Sequence, residues 1–99
     1  MVQLRWLKSA KEDLMQIHDY ISLDSKRYAK YQVQRIKQRT HHIKSHPRIG
    51  KIVQEFNNPD IRELVEGNYR IIYRIVSESR VDILMVHHGA RNLYHRILE

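Results

Sequence analysis

The spacing of apolar residues changes from a helical period to a strand-like period partway along the chain. Apolar residues recur every three or four positions in two stretches, which predicts helices over roughly 10–23 and from the break at 24–25 to 45. Val2, Leu4 and Trp6 alternate with other residues and predict a first strand. Beyond residue 60, runs of β-branched and aromatic residues predict strands over 61–65, 69–76 and 81–88. The order β-α-α-β-β-β predicts an α+β fold, with a helical hairpin packed on one face of an antiparallel sheet.

Local signals sharpen the boundaries of these elements. Ser9 and Glu12 have the spacing of a capping box and predict where the first helix begins. His46 precedes Pro47, and a residue before proline is disfavoured in a helix, so the second helix should end near residue 45. The stretch 47–60 is rich in turn residues and is interpreted as a loop with a short strand around residues 52–53. The 99 residues are expected to form one domain, 1–99.

Composition limits the environment and the partners. The chain has no cysteine, which excludes disulfides and thiolate metal sites and suits a reducing compartment. It has neither an apolar leader nor a run long enough to span a bilayer, so we expect a cytoplasmic protein without membrane contact. The net charge of +7 calls for an anionic partner, which would be nucleic acid or an acidic protein. The cations of the second helix are most simply interpreted as a solvated face.

Turn chemistry predicts the register of the C-terminal strands. A two-residue turn at Gly67-Asn68 places Val65 opposite Arg70, and a turn at 78–79 places Arg70 opposite His87. Alternation then predicts two faces of the sheet. The face expected to pack on the helices contains Leu64, Ile71, Tyr73, Ile75, Leu84 and Val86. The face expected to stay uncovered and to meet a partner contains Glu63, Val65, Arg70, Ile72, Arg74, Ile83, Met85 and His87.

Several motifs, taken in order along nearly the whole chain, resemble the RelE/ParE superfamily of toxins. These motifs are Trp6, Tyr20-Ile21, His46-Pro47-x-x-Gly50, Arg62-Glu63-Leu64, the run 69–74 and His88-Gly89-Ala90-Arg91. The resemblance implies the toxin of a type II toxin–antitoxin system, held inactive by a cognate antitoxin in a hetero-oligomer. It implies no cofactor. Adjacent histidines such as His87 and His88 point to opposite faces of a strand, so we also expect no metal site.

The superfamily divides by target, and both branches are open for this sequence. RelE-like members cut messenger RNA on the ribosome, and ParE-like members inhibit DNA gyrase without being nucleases. The absence of lysine after Lys51 favours the ParE-like branch, and so do the residues found in the motifs. A ribonuclease would need a base, an acid and a cation for the phosphate. The resemblance assigns those catalytic roles to Arg70, His88, Arg91 and Tyr94, with Glu55 or Glu63 as a substitute base.

Binding residues and the C-terminus complete the expectations. The residues expected to contact the target or the antitoxin are Arg62, Arg70, Arg74, His87 and Arg91. The segment 92–99 is expected to be a short helix or tail that the antitoxin masks. Truncation after Arg91 is therefore expected to abolish toxicity without unfolding the domain.

Overall fold

The computed structural model describes residues 1–97 and contains two layers, a helical hairpin on one side and a five-stranded sheet on the other. The expected α+β order is confirmed, including a short strand at 51–52 and a short helix within 92–99, and one 3-10 helix is present in addition. The elements are β1 (Gln3–Trp6), α1 (Lys8–Ser22), α2 (Lys26–Ser45), β2 (Lys51–Ile52), a 3-10 helix (Gln54–Phe56), β3 (Ile61–Glu66), β4 (Tyr69–Ile75), β5 (Arg80–His88) and α3 (Tyr94–Ile97).

The sheet has the strand order β1-β5-β4-β3-β2. Neighbouring strands are antiparallel except for β1, which pairs in parallel with β5. Gly67 adopts a φ of 59°, which glycine tolerates and which makes the tight β3–β4 turn possible. As predicted, Val65 pairs with Arg70 and Arg70 with His87. The β3–β4 register follows from the turn at Gly67-Asn68, whereas the predicted turn at 78–79 is wrong by one residue, since Ile75 pairs with Val81, and a β-bulge restores the pair Arg70–His87.

The helical hairpin covers one face of the sheet and forms the main hydrophobic core. Ala10 and Leu14 of α1 and Ile36 and Ile43 of α2 are buried against strand residues. Those strand residues are Leu64, Ile71, Tyr73, Val81, Ile83 and Val86. Ser25 caps α2 by accepting a hydrogen bond from the backbone N–H of Tyr28. Within residues 1–97, neither helix of the hairpin combines the length and apolarity that a bilayer span requires.

A β-bulge corrects one part of the predicted face assignment. The β4–β5 register shifts after the pair Ile72–Met85, so that Tyr73 pairs with Ile83 and Leu84 has no partner on β4. An extra residue reverses the side-chain alternation on the bulged strand. Ile83, expected on the uncovered face, therefore packs in the main core. Leu84, expected to face the helices, packs on the opposite side.

The predicted capping box at the start of α1 is wrong. Helix α1 begins at Lys8 after Leu7, which provides no side-chain cap. The Ser9 hydroxyl instead donates to the carbonyl of Leu84 at 2.6 Å, at the bulge. Asp13 accepts from the backbone N–H of Val86 at 2.9 Å. Both side chains thus satisfy β5 backbone groups beyond the end of β1, where the strand has no neighbour on that side.

The second face of the sheet is not bare, contrary to expectation. A small cluster there consists of Val53, Ile61, Ile72 and Leu93, with Phe56, Leu84, Met85 and Ile97 packed against it. Ile72 is fully buried, and Leu93, which lies after β5, is 1% exposed. The 3-10 helix and the C-terminal segment therefore cover the middle of this face. The segment expected to be a short helix or tail contains the short helix α3, and it packs on the sheet through Leu93 and Ile97. Residues 98–99 lie outside those described.

Candidate functional site

A cleft of about 500 Å³ opens on the face of the sheet away from the helices, at the end where the β3–β4 turn meets the end of β5. Strand β2 and the 3-10 helix form one wall, and the residues that follow β5 form the other. The lining residues are Lys51, Ile52, Gln54, Glu55, Glu63, Val65, Gly67, Asn68, Tyr69, Arg70, His88, Gly89 and Ala90.

Arg70 is at the centre of this cleft and contacts two carboxylates. Its Nη1 and Nη2 donate to the two oxygens of Glu55 at 2.8 and 2.9 Å, which is a bidentate pair. Its Nε donates to Glu63 at 3.0 Å, and Nη2 also contacts Glu63. The Arg70 side chain is only 17% exposed and that of Glu63 only 4%. We therefore correct the expectation of a freely accessible arginine, although Arg70 does lie on the expected face.

The electrostatics of the cleft follow from this contact. The hydrogen bond from Arg70 lowers the pKa of Glu55 from 4.5 to about 2, against the opposing effect of burial. The same hydrogen bond raises the pKa of Arg70 further above its already high value. Lys51 adds a second cation, with its Nζ 3.8 Å from Glu63. Two cations and two carboxylates thus balance, and the floor of the cleft is close to neutral despite the basic chain.

Acid should weaken the fold through Glu55. Its folded pKa lies below the ordinary value, so the Arg70–Glu55 pair contributes its full stabilisation above about pH 4.5 and loses it as the pH falls toward about 2. The shift corresponds to a loss on the order of 2–3 kcal/mol. Chemical denaturation at several pH values should show this decline. The Glu55→Gln variant should have a lower free energy of unfolding at neutral pH, and that free energy should change less between pH 4.5 and 2 than in the native protein. An equally steep decline in the variant would contradict the assignment.

His88 is the candidate acid or base in the cleft. It pairs with Tyr69 across the β4–β5 hairpin, and the two rings meet edge to face with centroids 5.5 Å apart. Its Nδ1 accepts from the backbone N–H of Ala90 at 3.2 Å, which leaves Nε2 available for proton exchange. Burial raises the pKa of Tyr69, which keeps that phenol protonated. The predicted pair Arg70 and His88 therefore lines one cleft.

The other two residues of the expected catalytic set lie at its edge. Arg91 and Tyr94 follow Ala90 and are exposed, and neither lines the cleft. Arg91 donates its backbone N–H to the carbonyl of His88 at 3.0 Å, and its positive charge lowers the pKa of Tyr69 slightly against the effect of burial. Arg91 therefore lies near the cleft through Tyr69, and the side chains of Arg91 and Tyr94 are exposed to solvent.

The remaining predicted binding residues are dispersed. Arg62 lies on the opposite face of β3 from Glu63 and donates to the carbonyls of Arg48, Gly50 and Pro59. His87 is 5% exposed, and its Nε2 lies 3.0 Å from the carbonyl of Arg91. Arg74 is exposed on the Arg70 side of β4. Among the expected binding residues, Arg74 and Arg91 are therefore the exposed ones, and Arg62 and His87 hold loops in place.

Among the cleft residues, Lys51 and Asn68 were not assigned to the site from the sequence. Lys51 reaches the cleft because β2 pairs with β3, which places Lys51 opposite Glu63. Asn68 lines the cleft from the β3–β4 turn, and its carbonyl accepts the backbone N–H of Gly89 at 2.7 Å. The sequence did not show which strand pairs with the short strand at 51–52, so Lys51 could not be placed beside Glu63. Local patterns contain no signal for it because β2 has only two residues.

Comparisons with known proteins give this arrangement its context. A family model described as the ParE toxin of the type II toxin–antitoxin system parDE matches residues 4–93. A solved chromosomal ParDE toxin–antitoxin system from P. aeruginosa is similar over 89% of this chain and 96% of that one, with a TM-score of 0.71 and 23% identity. The toxin–antitoxin complex RelBE2 from Mycobacterium tuberculosis is similar over 88% and 96%, with a TM-score of 0.62 and 23% identity. No curated protein sequence matches significantly. Because the family model spans most of the chain, the protein belongs to the ParE family of type II toxins.

Proposed function

We propose that this toxin inhibits DNA gyrase and that a cognate antitoxin neutralises it in a hetero-oligomeric complex in the cytoplasm. The family match supports the toxin role, and the residues of the motifs, which resemble the ParE-like branch, support DNA gyrase as the target. Both structurally similar proteins are toxin–antitoxin assemblies, which supports an antitoxin as the partner.

The charge balance around Arg70 is the observation that carries the choice of gyrase. A metal-independent ribonuclease stabilises a pentavalent phosphate with cations, and those cations need to be free to meet it. Here Glu55 and Glu63 occupy all three guanidinium nitrogens of Arg70, and Lys51 lies beside Glu63. A phosphate in the cleft would meet two carboxylates at the same place. This floor suits a contact with protein better than a contact with a nucleotide.

Messenger RNA cleavage on the ribosome is the second candidate, and one observation favours it. Arg70 and His88 line the same cleft, with Glu55 and Glu63 as carboxylates beside them. A substrate that displaced Glu55 would free two guanidinium nitrogens for a phosphate and leave a carboxylate to act as a base. Arg91 and Tyr94, exposed at the edge, would complete the set. The nuclease would thus require the 3-10 helix with Glu55 to move.

Two parallel assays separate these functions. In the first, the purified toxin is added to gyrase and relaxed plasmid, and we expect supercoiling to stop in proportion to toxin and to resume when the antitoxin is added. In the second, messenger RNA from cells that express the toxin is mapped by primer extension, and we expect no new ends. New ends that appear within minutes, together with unaffected supercoiling, would reject the gyrase proposal in favour of the nuclease. A toxin inactive in both assays and harmless in cells would reject both.

The antitoxin is proposed to cover an aromatic surface beside the cleft. Tyr20 and Leu23 at the end of α1 and Tyr28 and Tyr31 near the start of α2 are 53–82% exposed. Burial raises the pKa of Tyr69, and Tyr28 and Tyr20 raise it further, which supports a position of this surface near the cleft wall. Exposed aromatic residues are enriched at the cores of protein interfaces. One antitoxin segment could therefore mask the aromatic surface and the cleft together.

A further inference from the structure

The positive charge of the protein is concentrated on one helix. Helix α2 contains seven lysine or arginine residues and no acidic residue. The rest of the chain has eleven cations and eleven acidic residues, so α2 accounts for the whole net charge of +7. A helix with this charge repels itself unless anions are close. The clustering of seven cations on α2 therefore needs a physical explanation other than the solubility of the domain.

Only the arginines on the β3 side of α2 have partners within the fold. Arg35 lies 3.5 Å from a carboxylate oxygen of Glu66, and Arg39 donates to the carbonyl of Val65 at 3.4 Å. At 100° per residue, four lysines lie within about 40° of one another on the opposite flank of the helix. Among residues 1–97, none of the four takes part in an ion pair. These residues, the lysine row, are Lys26, Lys30, Lys37 and Lys44.

The ends of the lysine row are eighteen positions apart on α2, or about 27 Å at 1.5 Å per residue. Duplex DNA presents one negative charge for about every 1.7 Å of its axis, so a row of this length faces many phosphates. We propose that the lysine row binds the phosphate backbone of duplex DNA without reading the base sequence. This inference goes beyond the proposed action on gyrase and does not depend on it.

The composition of the helix surface favours DNA over an acidic protein. The outward residues next to the row, such as Gln34, Gln38 and His41, are exposed and polar. A stable protein interface has an apolar or aromatic centre, whereas backbone contacts to DNA require only cations and polar groups. The exposed aromatics Tyr28 and Tyr31 lie about 100° or more around the helix from the row. Acidic protein segments are therefore better matched to the aromatic surface than to the lysine row.

The same composition favours a duplex over single strands. Proteins that bind single strands stack bases on aromatic side chains, and the row offers none. The B-form major groove, about 12 Å wide, is bordered by phosphate rows that a helix can follow, whereas the major groove of A-form RNA is too narrow for this. Flexible lysines suit contact with a backbone because each acts as a point charge. Duplex DNA is thus the nucleic acid that best fits the surface.

Fluorescence anisotropy with a labelled 25-base-pair DNA of arbitrary sequence tests the proposal in the absence of gyrase and ribosomes. Four phosphate contacts predict a slope of log affinity against log salt of about −3.6, so affinity should fall roughly 100-fold between 50 and 200 mM salt. Lys30→Gln with Lys37→Gln should reduce the slope to about −1.8 and weaken binding at least about tenfold at 50 mM salt. An unchanged slope in this double variant would overturn the assignment.

A matched control distinguishes the row from net charge. Arg5 is exposed on the face of the sheet away from the helices, and Arg48 is exposed in the loop between α2 and β2. Arg5→Gln with Arg48→Gln removes the same charge and should leave DNA binding within about twofold and the slope unchanged. Equal losses in both double variants would show a net-charge effect and overturn the proposal. Tighter binding of duplex RNA, of single strands or of poly-glutamate would also overturn the choice of duplex DNA.

Discussion

Replacement of Arg70 by alanine is expected to unfold a large fraction of the protein. The change leaves Glu55 and Glu63 facing each other without their shared cation, and the Glu63 side chain is only 4% exposed. Removing one partner of a buried ion pair costs about 3–5 kcal/mol because the remaining charge stays buried. For a domain of this size, the melting temperature should fall by more than about 12 °C. Circular dichroism melting of purified protein measures the effect.

A charge-balanced variant provides the control for this prediction. Arg70→Met combined with Glu55→Gln and Glu63→Gln removes the cation and both carboxylates, and we expect it to recover at least half of the lost stability. If the single and triple variants melt at the same temperature, packing rather than charge explains the loss. If Arg70→Ala melts like the native protein, the two carboxylates are well solvated and the cluster does not stabilise the fold.

The triple variant also separates two roles of Arg70. Loss of toxicity in Arg70→Ala alone would reflect unfolding as readily as a lost contact with the target. A triple variant that folds and is still toxic would show that Arg70 supports the cleft without contacting the target. A folded variant that is harmless would place Arg70 or its carboxylates in the contact. Structure and function at this position are therefore distinguishable, although they share one side chain.

The sequence predicted those parts of the fold that local chemistry determines. The helical periods, the stop before Pro47 and the turn at Gly67 are each encoded within a few residues. The turn at Gly67 was predicted correctly, but next to the β4–β5 turn the register differs by one residue from a turn at 78–79, and the bulge restores the predicted pair of Arg70 with His87. The bulge was not predictable in the same way, because Ile83 and Leu84 are both apolar and either one fits either face. A register shift between two such residues leaves no trace in the hydrophobic pattern.

The candidate site was only half predictable, for a related reason. Arg70 and His88 are on neighbouring strands, but alternation puts His87 rather than His88 on the face of Arg70. His88 is the last residue of β5 and lines the cleft all the same. Glu55 is on a 3-10 helix within a loop, and its contact with Arg70 depends on how β2 docks against β3. Loop docking is a tertiary effect with no periodic signal. The neutralisation of Arg70, which supports the proposed choice of gyrase, therefore became visible only in the structure.

Truncation after Arg91 is expected to destabilise the whole domain, contrary to the sequence-based expectation of a detachable tail. Leu93 is 1% exposed and packs in the small cluster with Val53, Ile61 and Ile72. Its removal would expose Ile72, which is fully buried. Burial of one leucine contributes about 1.5–3 kcal/mol, and the partly buried Ile97 adds to this. The loss of apolar packing alone should therefore lower the free energy of unfolding of the whole domain.

An ion pair increases the cost of the same truncation. Arg96 lies 3.0 Å from Asp13, whose carboxylate also accepts the backbone N–H of Val86. Truncation leaves that partly buried carboxylate with one partner fewer. We expect a total loss of about 3–5 kcal/mol, measured by chemical denaturation of the truncated and full-length proteins. Leu93→Ala in the full-length chain should show about 2–4 kcal/mol of this loss. A truncated protein as stable as the full-length one would mean that residues 93–97 do not hold the second face of the sheet.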